Sequence, residues 1–332
     1  MLLTWIYIFC MLLLVMKTIC VLYNKPEDIS NECDIDTQNS AISVCEKLND
    51  GGHDARLFGI SASEVDEVKK IKEDVVFNLV EWTGKKIKYG VEVIKVLERK
   101  KIPFTGSGSW GFLLSSDKVM MKREMMKNKI PTPGLKFPAI VKPAYEHCGI
   151  GINQNSVVNN KQELENKTEE LRNKYYQPVI AEEFIDGREL QVTVLEKNSR
   201  PWVLPAAEVV FDKPGAVLSY EMKWVEKSSE YSQSHMEVAK LDRSLELRVE
   251  RIAKKAYVKL GGRDYPRLDL RIRGDEIFVL EINNNPGLDW DLDSGMGVSA
   301  RLAGFKTYGE LLTHIVENAY LRFIEIHDAN FL

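Results

Sequence analysis

The sequence from residue 267 to residue 287, RLDLRIRGDEIFVLEINNNPG, contains two apolar strands separated by a short turn at Asp275. Successive side chains of a strand point to opposite faces, so Glu281 and Asn283 share one face of the second strand. If the hairpin turns at Asp275, Asp269 on the first strand lies directly opposite Glu281. The stretch therefore predicts a β-hairpin that brings two carboxylates together.

Two carboxylates that face each other repel and destabilise a sheet unless a cation lies between them. The carboxylates of Asp269 and Glu281 and the amide oxygen of Asn283 are hard oxygen donors, which suit Mg²⁺ shared with substrate phosphates. Arg267 and Arg271 share the strand face of Asp269, and the same register places Arg267 opposite Asn283. A turn one residue longer would shift this register. A solvated sheet face with scattered charges explains the strand pattern equally well.

The composition is that of a globular protein with more than one lobe. Its 332 residues suit two or three lobes around a cleft, and an apolar fraction of 44% is ordinary. The net charge is −4 and no lysine or arginine stripe stands out, which argues against a nucleic-acid partner. The five cysteines show no C-x-x-C spacing, so neither a zinc site nor a disulfide framework is expected. These features favour a reduced, cytoplasmic protein.

Residues 1–16 form an apolar leader that differs from the rest of the chain. Residues 2–15, LLTWIYIFCMLLLV, are fewer than the roughly 20 that a membrane-spanning helix needs. They lack the basic first region and the small-residue cleavage site of a signal peptide. We therefore expect that translation starts at Met16 or that the leader is a dispensable extension. A membrane anchor is the alternative, and a membrane partner is expected only in that case.

Short apolar runs alternate with segments of helical periodicity from residue 17 to residue 105. This alternation predicts a parallel sheet flanked by helices, in a first domain that covers residues 17–105. The predicted strands are 17–23, 55–58 and 74–80, and the predicted helices are 40–49, 64–72 and 90–100.

The remainder of the chain predicts two further lobes, a smaller one over residues 106–185 and a larger one over residues 186–328. The glycine- and serine-rich segment 105–111 is expected to be flexible. The polar segment 213–240 has no clear periodicity and is long for a loop, which makes it a candidate active-site lid. The predicted strands are 137–142, 179–184, 189–195, 202–211, 267–272 and 277–283, and the predicted helices are 117–128, 162–175, 245–259 and 308–320.

Five separated motifs resemble those of one enzyme family and occur in the family's order. Besides the hairpin, they are VVFNLVEWTG at 75–84, the segment 102–133, FPAIVKPAYEHCGIGI at 137–152 and VIAEEFIDGREL at 179–190. The combination is similar to D-alanine–D-alanine ligase and related carboxylate–amine ligases of the ATP-grasp superfamily. The resemblance implies an α/β protein with an ATP-grasp fold, preceded by a Rossmann-like parallel-sheet domain. It is also compatible with a homodimer.

The same resemblance implies an ATP-dependent ligase that joins a small-molecule carboxylate to an amine. A carboxylate is a poor electrophile at neutral pH, and its attack on the γ-phosphate of ATP would convert it to a more reactive acyl phosphate. The amine would then displace phosphate, so that ADP and phosphate are released. The cofactors would be ATP and Mg²⁺, or Mn²⁺ in its place.

The resemblance also implies individual roles. Lysines would contact the ATP phosphates, a glycine-containing loop would surround them, and Arg267 would stabilise the negative charge that develops during the reaction. The implied residues are Lys118 and Lys142 for the phosphates, Glu146 and Gly149 in the phosphate loop, Glu182, Phe184, Ile185 and Glu189 for adenine and ribose, Asp269, Glu281 and Asn283 for the metal ions, and Arg267, Lys223 and Gly287 for catalysis.

The regions expected to bind the two substrates depart from the family's pattern. The glutamate that meets the first substrate has no clear counterpart, and Glu32, Asp34 and Asp36 are the candidates. Where the family offers a serine to the carboxylate of the second substrate, this chain has three aspartates, which would attract a cationic group instead. They are Asp289, Asp291 and Asp293.

Two further departures lie near the phosphates. His147 and Cys148 are bulkier than the small residues of the family's phosphate loop, and Trp224 stands where a lid tyrosine is common. An adjacent Cys–His pair as nucleophile is a remote alternative, because neighbouring residues seldom reach the required geometry. Three hypotheses follow: a D-alanine–D-alanine ligase type of enzyme, a ligase for a different amino acid or amine, and a non-catalytic nucleotide-binding module.

Overall fold

The computed structural model describes residues 16–27, 32–225, 227–231 and 233–328. The predictions for residues 1–15 therefore lie outside the described residues. None of the helices in the described part of the chain is both long enough and apolar enough to cross a membrane. The strands are β1 Thr18–Asn24, β2 Asp54–Ile60, β3 Val75–Asn78, β4 Ala139–Pro143, β5 Val157–Val158, β6 Val179–Glu183, β7 Arg188–Lys197, β8 Arg200–Val203, β9 Ala207–Phe211, β10 Ser234–Val238, β11 Arg267–Arg273 and β12 Glu276–Asn283. The α-helices are α1 Glu32–Asp50, α2 Ile87–Lys100, α3 Ser109–Ser116, α4 Lys118–Lys127, α5 Lys161–Tyr175, α6 Tyr220–Trp224, α7 Arg243–Lys259, α8 Gly295–Leu302 and α9 Tyr308–Asp328, and short 3₁₀ helices cover Ala62–Lys70, Gly84–Lys86 and Gln154–Ser156.

The first sheet has the strand order β2-β1-β3, and all its strands run parallel. Both faces of β1 are buried, because Ile19 and Val21 pack into one core cluster while Cys20 and Leu22 pack into another. A strand covered on both sides needs a continuous apolar run rather than an alternating one. The parallel sheet predicted from the sequence is confirmed.

The C-terminal helix α9 packs on this first sheet. Its residues Leu311, Leu312 and Ile315 share a core cluster with Ile19 on β1 and Val44 on α1. Helix α2 packs against the opposite face of the sheet. The first lobe is therefore built from both ends of the described chain.

The second sheet is small and antiparallel, with the order β5-β4-β6. Helix α5 covers one of its faces, where Leu171 packs against Ala139 and Val141. The third sheet has the order β10-β9-β7-β11-β12, and β8 pairs with the other end of β7.

The two faces of the third sheet differ in polarity. Val192 and Leu268 are fully buried in a core that includes helices α4 and α7. Gln191 and Asp269 alternate with them and lie on the opposite face, which lines the cavity described below. Strict alternation along β7 and β11 thus separates the core of this lobe from its polar site.

Several predictions for individual elements are wrong. The segment 105–111 is not a flexible passage, because helix α3 begins at Ser109. The predicted strand 202–211 is interrupted between β8 and β9, where Pro205 has no N–H to offer to a ladder. The segment 213–240 contains helix α6 and strand β10, and β10 pairs with β9 at the edge of the third sheet. Strand β5 and helix α8 were not predicted, and the helix expected over 64–72 is a 3₁₀ helix over Ala62–Lys70.

Candidate functional site

A cavity of about 810 Å³ lies between the second and third sheets and extends to the first lobe. The sequence-predicted site residues come from six separate segments of the chain, yet every one of them lines this cavity. They are Lys118, Lys142, Glu146, Gly149, Glu182, Phe184, Ile185, Glu189, Lys223, Arg267, Asp269, Glu281, Asn283 and Gly287.

The hairpin register is the one expected from the sequence, but it is reached through a β-bulge. Near the turn, Leu270 pairs with Val279; one step further, Asp269 pairs with Glu281, so Leu280 has no partner. A bulge places two successive residues against one residue of the neighbouring strand. As a result, Leu280 and Glu281 both line the cavity.

Each carboxylate of this pair is held by a cation. The guanidinium of Arg267 donates to both oxygens of Asp269, at 2.8 Å from Nε and 3.0 Å from Nη2. The Nζ of Lys118 lies 3.4 Å from Oε2 of Glu281. Burial alone would raise the pKa of Glu281, but the nearby cationic groups, led by Lys118 and Lys142, together outweigh burial and lower it. Two carboxylates and the amide of Asn283 at adjacent positions fit the ligand preference of Mg²⁺.

The buried Glu182 lies between two lysines at the other side of the cavity. Its carboxylate is 2.6 Å from Nζ of Lys142 and forms a second ion pair with Lys122. Burial opposes ionisation of Glu182, yet the two lysines lower its pKa. Burial likewise opposes the charge on Lys142, while Glu182 and Glu281 raise its pKa. Both groups are therefore charged, and Lys142 is a fixed cation inside the cavity.

The segment that joins the two sheets is fixed by Arg271. Its Nε donates to the Glu189 carboxylate at 2.8 Å, and Nη1 donates to the carbonyl of Gly187 at 3.1 Å. Its Nη2 donates to the carbonyl of Ala216 at 3.0 Å, at the start of the predicted lid. Arg271 thus connects the predicted nucleoside-binding segment with the lid.

The predicted phosphate loop is shaped by left-handed backbone conformations. The φ angles of Cys148 and Gly149 are 57° and 80°. A Cβ on Gly149 would lie 3.0 Å from the backbone nitrogen of Tyr220, so helix α6 of the predicted lid lies directly against the loop. Lys118 donates to the carbonyl of Glu146 at 2.6 Å and ties the loop to helix α4.

Three residues with a part in this arrangement were not predicted. Lys122 pairs with Glu182, Glu81 follows β3 and lines the cavity, and Gln191 lies beside Asp269 on β7. The pairing of Lys122 with Glu182 joins residues 60 positions apart, and no local pattern could have indicated it.

The imidazole of His147 in the predicted phosphate loop is neutral at pH 7, because burial and the neighbouring Lys118 lower its pKa to about 4.

The part of the cavity that borders the first lobe is acidic. Of the first-substrate candidates, Asp36 lines the cavity, while the side chains of Glu32 and Asp34 lie outside the described part. Glu81 and the three aspartates that follow Gly287 line the same part. These aspartates are Asp289, Asp291 and Asp293.

Comparison with known proteins identifies the family. The family model described as D-ala D-ala ligase C-terminus matches residues 105–317. The chain belongs to the D-alanine–D-alanine ligase family. This membership confirms the predicted enzyme class, an ATP-dependent ligase that forms a C–N bond.

Individual relatives extend this likeness over most of the chain. The D-alanine–D-alanine ligase of Methylibium petroleiphilum is 30% identical over 300 residues, which are 84% of this chain and 89% of the relative. The uncharacterized protein y4sG of Sinorhizobium fredii is 31% identical over 264 residues, 75% of each chain.

Solved structures of ligases share the fold. The D-alanine–D-alanine ligase from Bacillus anthracis complexed with ATP has a TM-score of 0.72 at 21% identity, covering 93% of this chain and 99% of its own. The VanG D-Ala:D-Ser ligase from Enterococcus faecalis has a TM-score of 0.69 at 18% identity, covering 92% and 100%. The predicted ATP-grasp fold with a parallel-sheet first lobe is therefore confirmed.

Proposed function

We propose that the protein joins a carboxylate to an amine through an acyl phosphate, with release of ADP and phosphate. The observation that supports this best is the register of the hairpin, which pairs Asp269 with Glu281 beside Lys118. A carboxylate pair of this kind is costly unless it holds a cation. Mg²⁺ held by Asp269, Glu281 and Asn283 would neutralise negative charge on the phosphate oxygens of ATP.

The cations of the chain itself supply the remaining charge neutralisation. Lys142 is held by Glu182, and Lys118 is held by the phosphate loop, so both ammonium groups are fixed before ATP arrives. Arg267 is held by two bonds to Asp269, and its guanidinium is fixed beside the carboxylate pair. Preorganised charges of this kind stabilise the transition state of phosphoryl transfer more than the ground state.

The lid would protect the acyl phosphate from water. Lys223 lies on helix α6 and lines the cavity, and the same helix contacts the phosphate loop at Gly149. Closure over the phosphates would bring a further cation to them and exclude water that hydrolyses the intermediate. Gly287 would leave room for substrate beside Arg267.

D-alanine is the substrate named for several relatives, and it is the first candidate for this chain. The acidic part of the cavity supports a different amino acid or amine as the second candidate. The predicted cytoplasmic location and homodimer remain predictions.

A phosphate-release assay tests the proposal. We expect release that depends on ATP, Mg²⁺, a carboxylate and an amine, with D-alanine and a panel of amino acids and amines as substrates. Glu281→Gln should lower kcat by about 100-fold or more, because it removes a metal ligand. The matched control is Glu276→Gln, at the exposed start of the same strand. Phosphate release that requires no amine would contradict the proposal.

The non-catalytic nucleotide-binding module is the alternative of another class. It is supported by the departures in both substrate regions. It predicts tight ATP binding without turnover across the whole substrate panel, and a function that is indifferent to Asp269→Asn. Equilibrium ATP binding and phosphate release, measured on the same preparation, separate the two functions.

A further inference from the structure

The two ends of the cavity carry opposite charge. Lysines line the end that we assign to the nucleotide, namely Lys118, Lys142 and Lys223. Carboxylates line the end that borders the first lobe, namely Asp36, Glu81, Asp289, Asp291 and Asp293. The electrostatic potential is therefore negative at the end that borders the first lobe and positive at the nucleotide end.

The acidic end is assembled from three separate parts of the fold. Asp36 lies on helix α1, Glu81 follows strand β3, and Asp289 and Asp291 follow strand β12. These segments come from the first lobe and from the third sheet. Their carboxylates therefore meet only because the two lobes enclose one cavity.

The chain supplies little compensation for these charges. Within the described ranges, Asp36, Glu81, Asp289 and Asp291 form no salt bridge, whereas Arg267 is held by Asp269. Arg301 is directed away, because it lies over the Trp290 ring and donates to the carbonyls of Trp290 and Asp291. Ser294 donates to the carbonyl of Asp289 and caps helix α8, so its hydroxyl is not free to bind a carboxylate.

A buried amide at the same end provides a second observation. Gln191 is 6% exposed, lines the cavity and lies opposite Asp269 in the register of β7 and β11. Its Oε1 lies over Gly295, where a Cβ would meet it at 2.0 Å. In the described chain its side-chain amide has no hydrogen-bond partner. This amide faces the cavity, where a bound polar group would supply its hydrogen-bond partner.

Electrostatics within the cluster agree with this arrangement. Burial, together with the nearby Asp289, raises the pKa of Asp36 to about 6. Burial and the nearby Asp36 and Asp289 raise the pKa of Glu81 to about 7, although Arg267 acts in the opposite direction. The carboxylates thus repel one another across the cavity, and a cation between them would relieve this repulsion.

A single metal ion does not fit this cluster. Among the described residues, no group of three or more His, Cys, Asp or Glu side chains is placed to hold a metal ion. An organic cation, which needs no tight shell of oxygen ligands, is the better candidate for this end of the cavity. In the proposed reaction, the carboxylate to be activated must lie at the phosphate end, and the amine approaches from the other side.

We propose that the amine substrate carries a second cationic group, as a diamine or a basic amino acid does, and that Asp36, Glu81, Asp289 and Asp291 bind that group. This inference rests on the proposed ligase function and specifies its amine substrate. The attacking nitrogen reacts in its neutral form, while the second ammonium or guanidinium group remains charged and holds the substrate in the acidic end. The Gln191 amide oxygen accepts a hydrogen bond from it.

Calorimetric titration of the full chain in the presence of EDTA tests this inference without turnover. The probes are 1,4-diaminobutane and n-butylamine, which have the same carbon chain and differ by one charge. We expect the diamine to bind about tenfold or more tightly than the monoamine, because only the diamine keeps a charge at both ends. Asp289→Asn should remove most of this difference. The matched control Asp275→Asn, at the fully exposed hairpin turn, should leave it unchanged.

The results separate this inference from the proposed function. Equal binding of the two amines, or a preference that survives Asp289→Asn, would overturn the inference. ATP affinity in Mg²⁺ buffer is measured on the same variants. If the wild-type protein binds ATP but shows no preference for the diamine, the inference about a second cationic group is wrong and the proposed ligase function stands. If the wild-type protein does not bind ATP, the proposed ligase function itself is wrong. Thermal melting of Asp289→Asn and Asp275→Asn verifies that both are folded.

Discussion

Asp269 and Glu281 face each other across β11 and β12, one residue out of the register that the hairpin turn sets. Continued without a bulge, the pairing near the turn would place Asp269 opposite the apolar side chain of Leu280. The bulge instead presents Leu280 and Glu281 together on the cavity face, while Val279 and Ile282 stay in the core. The proposed metal site thus depends on one extra residue in β12 as well as on the identity of its ligands.

Asp269→Asn should raise the Mg²⁺ concentration needed for half-maximal activity by about tenfold or more, since a neutral amide is a weaker ligand than a carboxylate. It should also free Arg267, whose two bonds go to Asp269. The measurement is phosphate release as a function of Mg²⁺ at saturating ATP. Asp275→Asn in the same hairpin serves as the control, and an unchanged Mg²⁺ dependence in Asp269→Asn would exclude Asp269 as a ligand.

The hairpin was predictable from the sequence because its information is local. Period-two alternation and a short turn determine which residues of β11 and β12 share a face. The pairing of Asp269 with Glu281 also depends on the bulge, which the sequence pattern did not indicate. The expected register is correct at the site, whereas near the turn the strands pair one residue out of that register. The site residues beyond the hairpin came from the family resemblance.

Features that depend on distant contacts were not predictable. Gly111 suggested flexibility, but in helix α3 its missing side chain allows close packing, since a Cβ would lie 2.4 Å from the carbonyl oxygen of Gly261. Strand β10, SHMEV, has only two apolar residues, which is too short a pattern to predict a strand, and it is a strand because β9 pairs with it. Glu182 has the local pattern of an exposed strand end, yet it is buried between Lys122 and Lys142. In each case a tertiary contact outweighs the local signal.

Glu182→Gln should destabilise the protein by about 3–5 kcal/mol, because it leaves two buried lysines without their shared counterion. Added ATP should restore part of this loss, since its phosphates would neutralise Lys142. The measurement is urea unfolding with and without ATP. Glu183→Gln is the matched control on the same strand. Its carboxylate pairs with the partly exposed Arg273, so the loss there should stay below about 1 kcal/mol. Equal losses in the two variants would contradict the buried ion-pair assignment.

The acidic end should make stability depend on pH. Burial raises the pKa of Glu81 to about 7 and that of Asp36 to about 6, both above their values in an unfolded chain. The folded protein therefore binds more protons than the unfolded chain between about pH 4 and pH 7, and its free energy of unfolding falls as the pH rises through this window. Glu81→Gln should reduce the loss between pH 5 and pH 8 by about 2 kcal/mol. Denaturant unfolding at both pH values measures this loss, and the control Glu46→Gln, on the exposed face of α1, should behave like the wild type. An equal loss of unfolding free energy in the wild type, Glu81→Gln and Glu46→Gln would refute the prediction.

Gly149→Ala should impair ATP turnover more than it impairs folding. Gly149 has a φ of 80°, which costs an alanine about 1–2 kcal/mol, and the added Cβ would lie 3.0 Å from the backbone nitrogen of Tyr220. Both effects act at the contact between the phosphate loop and the lid, so kcat/KM for ATP should fall by about tenfold or more. Gly134→Ala is the matched control, because a Cβ there meets no atom within 4 Å and the residue is exposed. The measurements are steady-state kinetics and thermal melting of both variants. A large loss of kcat/KM with a small shift in Tm supports a functional contact between the loop and the lid. A Gly149→Ala enzyme as active as Gly134→Ala would show that this contact has no part in turnover.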